Sequence, residues 1–355
     1  MKILITTGIY PPDIGGPATY SKLLFEELPK RGIQTAVLSF GEVRKLPKLI
    51  RHISFFFKII SQHHDVDLIF AQDTVSVGLP SLLAAKLLGK RVFIRVPGDY
   101  AWEQSVQRFG VKENIDDFQN KKYGTAVELL RSIQKFVVDH ADRAIAPSIY
   151  FRNLVAKWVR NPEKVHCVYN GIDLSTIPTV QGYESKTIFT AGRLVPWKGF
   201  AALIESMKDM LEWKLYIAGD GPFRPDLEKI AKENNVSDRV FLLGQIDRSS
   251  LIKRMQSCDV FVLNTHFESF SFQVVEAMAA GIPVITTNVG NLAEIVDDGK
   301  SGILITPDDR QAIVTACLEL SSDMTKRNNM IKAAKEKAQD FSIQKTVDNM
   351  ANMIL

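Results

Sequence analysis

The sequence predicts an α/β protein built from two doubly wound parallel-sheet domains. Three observations support this: a length of 355 residues, short apolar runs that alternate with amphipathic stretches, and a restart of that rhythm after Gly182. At roughly 150 residues per domain, this length agrees with two domains. We predict a first domain over residues 1–182, a second over 183–340, and a C-terminal helix over 341–355 that joins the first domain.

Short apolar runs separated by amphipathic stretches are typical of parallel strands that are buried on both faces. The first half has five such runs: Ile3 to Thr7, Ala36 to Phe40, Leu68 to Ala71, Val92 to Val96 and Arg143 to Ala146. The second half has six: Thr187 to Ala191, Lys214 to Ala218, Val240 to Leu243, Val260 to Leu263, Pro283 to Thr287 and Gly302 to Ile305. Residues 175–186 lack periodicity, as a linker does, which places the domain boundary near Gly182.

Composition excludes several classes of protein. Apolar residues make up 46% and charged residues 24% of the chain, which is ordinary for soluble globular domains. No apolar stretch approaches the ~20 residues of a membrane span. The three cysteines are widely separated, which disfavours a disulfide framework and a zinc site and favours a reducing cytoplasm.

Charge is divided unevenly between the two halves. Residues 1–180 contain 24 Lys and Arg against 17 Asp and Glu, a balance of +7, and the remainder contains 20 against 23, a balance of −3. The basic first half therefore suits an anionic surface or substrate. No nucleic-acid partner is expected.

Two glutamates in the second half follow a predicted strand at a spacing of eight residues. Glu268 lies in the loop after Val260 to Leu263, and Glu276 lies about one turn into a predicted helix that begins near Phe272 and ends before Gly281. The free amides at that helix start would attract an anion. Solvated surface glutamates are the alternative that such a spacing, taken alone, leaves open.

Two cations occupy another loop that follows a strand. Arg193 and Lys198 lie in AGRLVPWKG, between the run Thr187 to Ala191 and the helical pattern of residues 200–210. A forked guanidinium and a mobile ammonium are suited to holding a diphosphate whose charge grows as it leaves. Ligands of open parallel sheets bind beyond the carboxyl ends of the strands, where both loops lie.

Together these motifs resemble the retaining, nucleotide-sugar-dependent glycosyltransferases of family 4. Five elements occur in the family's order: YNGID at 169–173, AGRLVPWKG at 191–199, AGDGP at 218–222, VFLLGQI at 240–246, and the E-x7-E segment with its AMAAGIPVI continuation. The resemblance is specific over residues 169–290 and looser elsewhere. It implies the GT-B fold, in which two Rossmann-like domains face each other across a cleft.

The resemblance also implies roles for individual residues. Arg193 and Lys198 would hold the diphosphate, Glu276 would accept hydrogen bonds from the ribose, and Glu268 would contact hydroxyls of the donor sugar. The further donor-binding residues implied are Gly15, Gly16, Gly219, Gly244, Gln245, Ile246, Phe270, Ser271 and Phe272. The family often has a histidine where this chain has Pro97, and Asp99 is the nearest polar substitute. A turn aspartate without a catalytic role is an equally good interpretation of Asp99.

No metal site is predicted. Asp65 and Asp67 form a D-x-D string, but they precede the strand Leu68 to Ala71 and so lie at the wrong end of the sheet for a ligand. The resemblance implies a metal-independent reaction in which cations replace the metal, with the nucleoside diphosphate sugar (NDP-sugar) as co-substrate and no cofactor.

The segment from Arg44 to Ile60 is cationic and amphipathic, and two interpretations of it stay open. One is a helix that covers the sheet with a solvated basic face. The other is an interfacial helix whose stripe contacts an anionic membrane. The residues of that stripe would be Lys48, Arg51, Phe55 and Lys58.

The resemblance therefore implies a cytoplasmic enzyme, peripheral to the inner face of the membrane if that helix binds lipid. It would transfer a sugar with retention from an NDP-sugar to a glycan or lipid-linked acceptor. Alternatives are a catalytically silent scaffold that binds nucleotide sugars, or a nucleotide-sugar epimerase or phosphorylase of the same fold. Neither an acid/base histidine pair nor a cofactor lysine is evident for the last two.

Overall fold

The computed structural model describes residues 1–13, 15–62, 64–177 and 184–355, the side chains of Lys48 and Leu49 excepted. The chain forms two compact units. The first unit consists of Met1–Asn170 together with Ile343–Leu355, and the second of Gly171–Ser342. The predicted boundary near Gly182 lies outside the described residues.

The first unit contains a six-stranded parallel sheet in the order β2-β1-β3-β4-β5-β6. Its strands are β1 (Lys2–Thr7), β2 (Gln34–Ser39), β3 (Leu68–Ala71), β4 (Arg91–Arg95), β5 (Arg143–Ala146) and β6 (Val165–Cys167). Its helices are α1 (Gly16–Glu27), α2 (Lys48–Ser61), α3 (Gly78–Leu88), α4 (Tyr100–Arg108), α5 (Ile115–Asn120), α6 (Thr125–His140), α7 (Ile149–Ala156) and, at the C-terminus, α15 (Ile343–Ile354).

The second unit contains another six-stranded parallel sheet, in the order β12-β11-β10-β7-β8-β9. Its strands are β7 (Thr187–Ala191), β8 (Lys214–Ala218), β9 (Val240–Gly244), β10 (Val260–Leu263), β11 (Val284–Thr287) and β12 (Ile303–Ile305). Its helices are α8 (Phe200–Ser206), α9 (Arg224–Glu233), α10 (Arg248–Gln256), α11 (Phe272–Ala280), α12 (Leu292–Ile295), α13 (Arg310–Ser322) and α14 (Met324–Ala338).

The predicted α/β class with two doubly wound parallel sheets is confirmed. All eleven predicted runs are strands, with ends that shift by up to two residues. The short edge strand β6 was not predicted, because three residues with a polar His166 and a half-buried Cys167 carry little apolar signal.

The C-terminal helix α15 completes the core of the first unit. Val347, Met350 and Ile354 are fully buried against the β1 side chains Ile3 and Ile5 and their neighbours. An amphipathic helix must bury its apolar stripe against another element, and α15 does so beside α1. The residues preceding it stay with the second unit, where Ile172 bridges to Ser342.

The predicted orientation of the helix over Arg44 to Ile60 is wrong. Phe55, expected on an exposed basic stripe, is completely buried and packs edge-on against Phe40 at 5.2 Å between ring centroids. Arg51 is half-buried over the same Phe40 ring, and Lys58 forms an ion pair with Glu42 at 2.7 Å. The side chain of Lys48 lies outside the described residues. The stripe that carries Phe55 therefore faces the protein, and the opposite, more apolar stripe faces outward.

Within the described ranges, no helix has the length and apolar character needed to cross a lipid bilayer.

Candidate functional site

The candidate site of the second unit is built from loops that follow neighbouring strands. β10, β7, β8 and β9 lie side by side in that order, so the loops at their carboxyl ends share one edge of the sheet. These loops contain Lys198 after β7, Gly219 after β8, Gln245 after β9 and Glu268 after β10. The fold thus brings the predicted donor-binding motifs of the second half to one edge.

Glycines allow these loops to pack backbone against backbone. A Cβ on Gly219 would lie 1.9 Å from the carbonyl oxygen of Gly192, and one on Gly199 would lie 1.6 Å from that of Asn264. Both glycines also have positive φ angles, of +129° and +62°. Gly219 therefore has a structural reason to be glycine that does not depend on its predicted contact with a donor.

Lys198 and Glu268 form a largely buried ion pair between the loops after β7 and β10. Only 16% of the lysine side chain and 9% of the glutamate side chain are exposed. Burial raises the pKa of Glu268, and the nearby Lys198 ammonium partly offsets that shift. The two residues predicted to hold the diphosphate and the sugar are therefore in direct contact, and the alternative of a solvated Glu268 is wrong.

The loop after β10 leads into α11 through a serine cap. The Ser271 hydroxyl accepts a hydrogen bond from the Val274 amide, and Gly281, in the left-handed conformation, ends the helix. No acidic side chain lies in the first turn. The partial positive charge at the start of α11 is therefore not neutralised by an acidic side chain of its first turn, and the helix start can attract an anionic ligand.

Phe270, Ser271 and Phe272 lead into this helix start with side chains that are buried or half-buried. Phe270 is buried, with its ring 5.3 Å from that of Phe272 and 5.8 Å from that of Phe341, and Ser271 is fully buried. These packed side chains fix the backbone amides that follow them. The prediction that this segment contacts a ligand chiefly through amides stays a prediction and is compatible with the packing.

Glu276 is buried on α11 and paired with an arginine that the sequence did not indicate. Nε of Arg248, the first residue of α10, donates to the Glu276 carboxylate at 2.6 Å. Burial raises the pKa of Glu276, and Arg248 offsets part of that shift. The predicted ribose acceptor is therefore already engaged by a cation in this structure.

Arg248 also contacts the first residues of the second unit. Its guanidinium donates to the Thr176 hydroxyl at 2.7 Å and to the Asp173 carbonyl at 3.3 Å. One side chain thus connects Glu276 to the last residue of YNGID and to Thr176, which lies three residues after it. A ligand that takes the Glu276 carboxylate would have to share it with Arg248 or displace Arg248.

The remaining predicted donor residues of the second unit are accessible. Arg193 is exposed and, within the described residues, has no ion pair. Gln245 is exposed and Ile246 half-buried, directly after Gly244, whose carbonyl accepts from the Gly219 amide at 2.8 Å. This accessibility allows the predicted contacts with diphosphate and base, which stay predictions.

In the first unit, the predicted glycines lie where α1 begins. Gly15 is the N-cap of α1, with φ of +153°, and Gly16 is its first residue. No acidic side chain occupies the first turn of that helix. The arrangement leaves backbone amides available, as the predicted phosphate or acceptor contact requires.

Asp99 is a buried helix cap that ties three helices together. Its carboxylate accepts from the Trp102 amide at 3.0 Å, from Gln134 at 2.8 Å and from Gln119 at 2.8 Å. The side chain is fully buried. Its oxygens are thus already engaged, which favours the interpretation of a structural turn aspartate over a sugar contact.

The D-x-D string lies at the amino end of the first sheet, as predicted. The Asp67 carboxylate accepts from the backbone amide of Lys2, at the start of β1, at 2.8 Å. Among the described residues, no cluster of three His, Cys, Asp or Glu side chains is placed to hold a metal ion.

Two site residues were missed for different reasons. Asn264 directly follows β10, is buried, and donates from Nδ2 to the Gly199 carbonyl at 3.0 Å. The rule that functional residues follow parallel strands could have identified it. No sequence signal pairs Arg248 with Glu276, because the contact joins two helices 28 residues apart.

Two family models match the chain and together cover most of it. The model described as Glycosyltransferase Family 4 matches residues 14–176, and the model described as Glycosyl transferases group 1 matches residues 179–337. The chain belongs to the family 4, group 1 glycosyltransferases. The two sheets of this family 4 chain are those of the GT-B fold.

Several relatives carry glycosyltransferase names. An uncharacterised glycosyltransferase of Methanocaldococcus jannaschii is 30% identical over 60% of this chain and 59% of its own length. A second one from that organism is 32% identical over 49% of each chain, so the match spans only about half of these relatives. The N-acetyl-alpha-D-glucosaminyl L-malate synthase of Bacillus anthracis is 24% identical over 98% of this chain and 95% of its own.

Solved structures of low sequence identity share the fold. Sucrose-phosphate synthase from Thermosynechococcus elongatus superimposes with a TM-score of 0.82 at 19% identity, covering 100% of this chain and 98% of that one. Anabaena HepE in complex with UDP-glucose gives 0.78 at 18% identity, covering 100% and 99%. The family 4 chain is thus similar in fold along its whole length to these proteins.

Proposed function

We propose that this family 4 chain transfers a sugar from an NDP-sugar to an acceptor hydroxyl with retention of configuration. The observation that carries the proposal is the pair of buried glutamates around the start of α11, each held by a cation from a neighbouring loop or helix. A buried carboxylate needs partners, and hydroxyls of a ribose and a sugar are suitable ones when a ligand arrives. The Anabaena HepE structures contain UDP and UDP-glucose, which supports a nucleotide-sugar donor.

In the proposed reaction, the acceptor oxygen forms a bond to the anomeric carbon while the bond from that carbon to the diphosphate oxygen breaks. The departing diphosphate oxygen accepts the proton of the acceptor hydroxyl on the same face of the sugar. Arg193, Lys198 and the amides of α11 stabilise the charge that grows on the diphosphate. The chain supplies position and electrostatics, and no carboxylate acts as nucleophile.

When the diphosphate arrives, it offers Lys198 a stronger anionic partner than Glu268. Glu268 would then be free to accept hydrogen bonds from the sugar, and its raised pKa reflects how poorly it is solvated in the meantime. Glu276 would hold the ribose. We propose that the reaction needs neither a metal ion nor a cofactor, because two cations already lie on the loop after β7.

The acceptor is proposed to be a glycan or lipid-linked hydroxyl, met in the cytoplasm at the inner face of a membrane. The +7 balance of residues 1–180 supports an anionic surface as partner of the first unit. Silent binding without transfer is the alternative to be tested.

Calorimetry with UDP, GDP and ADP, and transfer assays with the matching NDP-sugars in the presence of EDTA, test this proposal. We expect one diphosphate to bind and its sugar to be transferred, with the product anomer, read by NMR, matching the donor. Glu276→Gln should weaken diphosphate binding, because the ribose contact is the same in ground state and transition state. Glu268→Gln should spare diphosphate binding and slow transfer.

Binding without transfer to any glycan or membrane-lipid extract would favour the silent scaffold. An epimerised free donor would favour the epimerase. Loss of transfer on EDTA treatment, with recovery on adding Mg²⁺, would contradict the metal-free mechanism.

A further inference from the structure

The outward side of α2 is apolar, although its inward side carries Phe55. Leu46, just before the helix, and Ile50, Ile53 and Phe57 recur at spacings of four, three and four residues, so they form one stripe. They are between 40% and 61% exposed. Exposed large apolar side chains are ordinary when they are scattered singly over a surface. A stripe of four neighbouring ones is unusual and indicates an interaction surface.

The stripe continues on the two helices that follow in the same layer. α3 packs against both α2 and α6. Leu83 and Leu87 of α3 and Leu129 and Phe136 of α6 are between 44% and 69% exposed. We name these eight residues the apolar face; it consists of Leu46, Ile50, Ile53, Phe57, Leu83, Leu87, Leu129 and Phe136.

Topology explains why the three helices share a side of the sheet. The crossovers β2 to β3, β3 to β4 and β4 to β5 all advance in one direction, whereas β1 to β2 runs the other way. Because such crossovers are right-handed, α2, α3 and α6 lie on one side and α1 on the other. α15 covers the α1 side, and no other described element of the first unit covers the outward side of α2.

The charges around the apolar face have one sign on two of its helices. Residues 44–61 contain five Lys and Arg and residues 78–90 contain two, and neither segment contains Asp or Glu. Arg44 and Lys58 form ion pairs with Asp13 and Glu42, so the positive excess at this face comes from other basic residues such as Lys45 and Lys86. Lys45 and Lys86 are exposed, next to Leu46 and Leu87. Exposed apolar side chains flanked by lysines are the pattern of surfaces that settle into the headgroup region of a bilayer.

The same charges disfavour a second copy of the chain as the occupant. A symmetric dimer through this face would bring together two surfaces that each carry an excess of positive charge, and like charges across an interface are costly. A bilayer containing anionic lipid supplies both an apolar interior and negative headgroups. Charge complementarity therefore selects the lipid surface.

We propose that the apolar face of the first unit docks on an anionic membrane, with Ile50, Ile53 and Phe57 inserted among the acyl chains and Lys45 and Lys86 at the phosphates. This inference deepens the proposed function, on which it rests for its purpose, because it makes the acceptor a membrane-borne molecule. It replaces the stripe of Arg51, Phe55 and Lys58 as the contact surface. Vesicle binding needs no sugar donor, so it can succeed or fail independently of glycosyl transfer.

The test is co-sedimentation of the full chain with vesicles of phosphatidylcholine alone or with added phosphatidylglycerol, at low and high salt. Three variants are compared: Ile53→Ser/Phe57→Ser in the apolar face, Lys45→Gln/Lys86→Gln beside it, and Phe25→Ser, an exposed phenylalanine on α1, as the matched control. Circular dichroism and thermal melting establish that each variant is folded.

We expect wild type to bind anionic vesicles at low salt. Each lysine should contribute about fivefold to the partition coefficient, from about 1 kcal/mol per charge, so the double lysine variant should lose roughly 25-fold. The partition coefficient of the double serine variant should fall by at least as much. This reduction should persist at high salt, because it comes from the removal of apolar contacts, which salt does not screen. Phe25→Ser should bind like wild type.

Failure of wild type to bind anionic vesicles, or equal binding by the double serine variant, would overturn the inference. Light scattering that shows a dimer of wild type and a monomer of Ile53→Ser/Phe57→Ser would assign the face to a second copy instead. Vesicle binding without any sugar transfer would refute the proposed function and leave the membrane surface standing. Transfer to a water-soluble acceptor without vesicle binding would refute the membrane surface and leave the proposed function standing.

Discussion

Replacing Lys198 by Met isolates the buried pair on which the donor site is built. The substitution keeps the length and apolar stem of the side chain and removes its charge, which leaves Glu268 as a buried carboxylate without its cation. With 16% and 9% of the two side chains exposed, the pair belongs to the buried class. Removal of one partner from such a pair typically costs about 3–5 kcal/mol in the free energy of unfolding.

The cost of Lys198→Met in the free energy of unfolding should depend on pH, and the direction of that dependence follows from whether the folded or the unfolded chain binds more protons. Burial already raises the pKa of Glu268 in wild type, and loss of the Lys198 ammonium raises it further. A carboxyl whose folded pKa lies above its unfolded pKa binds more protons when folded, so stability falls as pH rises between those two values. We therefore expect the cost of Lys198→Met to be about 3 kcal/mol at pH 8 and clearly smaller at pH 5.

Native-state hydrogen exchange of the amides in β7 and β10 is the suitable assay, because it reports opening of the second unit separately from the first. The double variant Lys198→Met/Glu268→Met should recover about 2–3 kcal/mol relative to the sum of the single variants. Lys229→Met, at a lysine 72% exposed on α9, is the matched control and should cost under about 0.5 kcal/mol. A cost of Lys198→Met that is below 1 kcal/mol, independent of pH, or additive with Glu268→Met would refute the reasoning.

Three further predictions concern individual side chains. Arg193→Ala should lower kcat by the equivalent of ~2–4 kcal/mol in the activation free energy of transfer. The melting temperature should not fall, because the side chain is exposed, and an unchanged kcat would show that Arg193 does not hold the diphosphate. Arg248→Gln should tighten diphosphate binding at pH 8, where Glu276 loses a competitor, and this gain should shrink as the pH is lowered, because loss of the guanidinium moves the pKa of the buried Glu276 carboxyl further above its ordinary value; calorimetry at pH 8 and pH 6 decides, and affinities equal to those of wild type would contradict it. Gly199→Ala should lower the melting temperature far more than the control Gly299→Ala, because the new Cβ would lie 1.6 Å from the Asn264 carbonyl oxygen, whereas Gly299 has open space; equal melting would contradict the backbone contact.

The strands and the motif order of this chain were predictable because both are local. A parallel strand that is buried on both faces is a short, nearly continuous run of apolar residues, and runs such as Leu68 to Ala71 show this in the sequence itself. Loops that follow such strands converge by topology alone, so Lys198 and Glu268 could be assigned to one site before any contact was known. The pairing of Glu276 with Arg248 could not be predicted from the sequence, because it depends on how α10 and α11 pack against each other.

The orientation of α2 shows the limit of periodicity most clearly. Both stripes of this helix carry aromatic or aliphatic side chains, and the sequence alone favoured burial of the stripe with Ile53 and Phe57. The structure buries Phe55 instead, because Phe40 lies beneath it. Residues outside the helix decide which stripe faces the sheet. They thereby also decide which surface meets the membrane in our proposal.

The sequence by itself determined the α/β class, the two sheets and the family, since these follow from short-range patterns of apolar residues and from motifs a few residues long. Only the tertiary structure decided which charges are paired, which aspartate is a buried cap, and which helix face is exposed. Ion pairs and burial depend on side chains that meet across loops and layers. Asp99 illustrates this, because its three donors come from Trp102, Gln119 and Gln134, and two of them are twenty or more residues away.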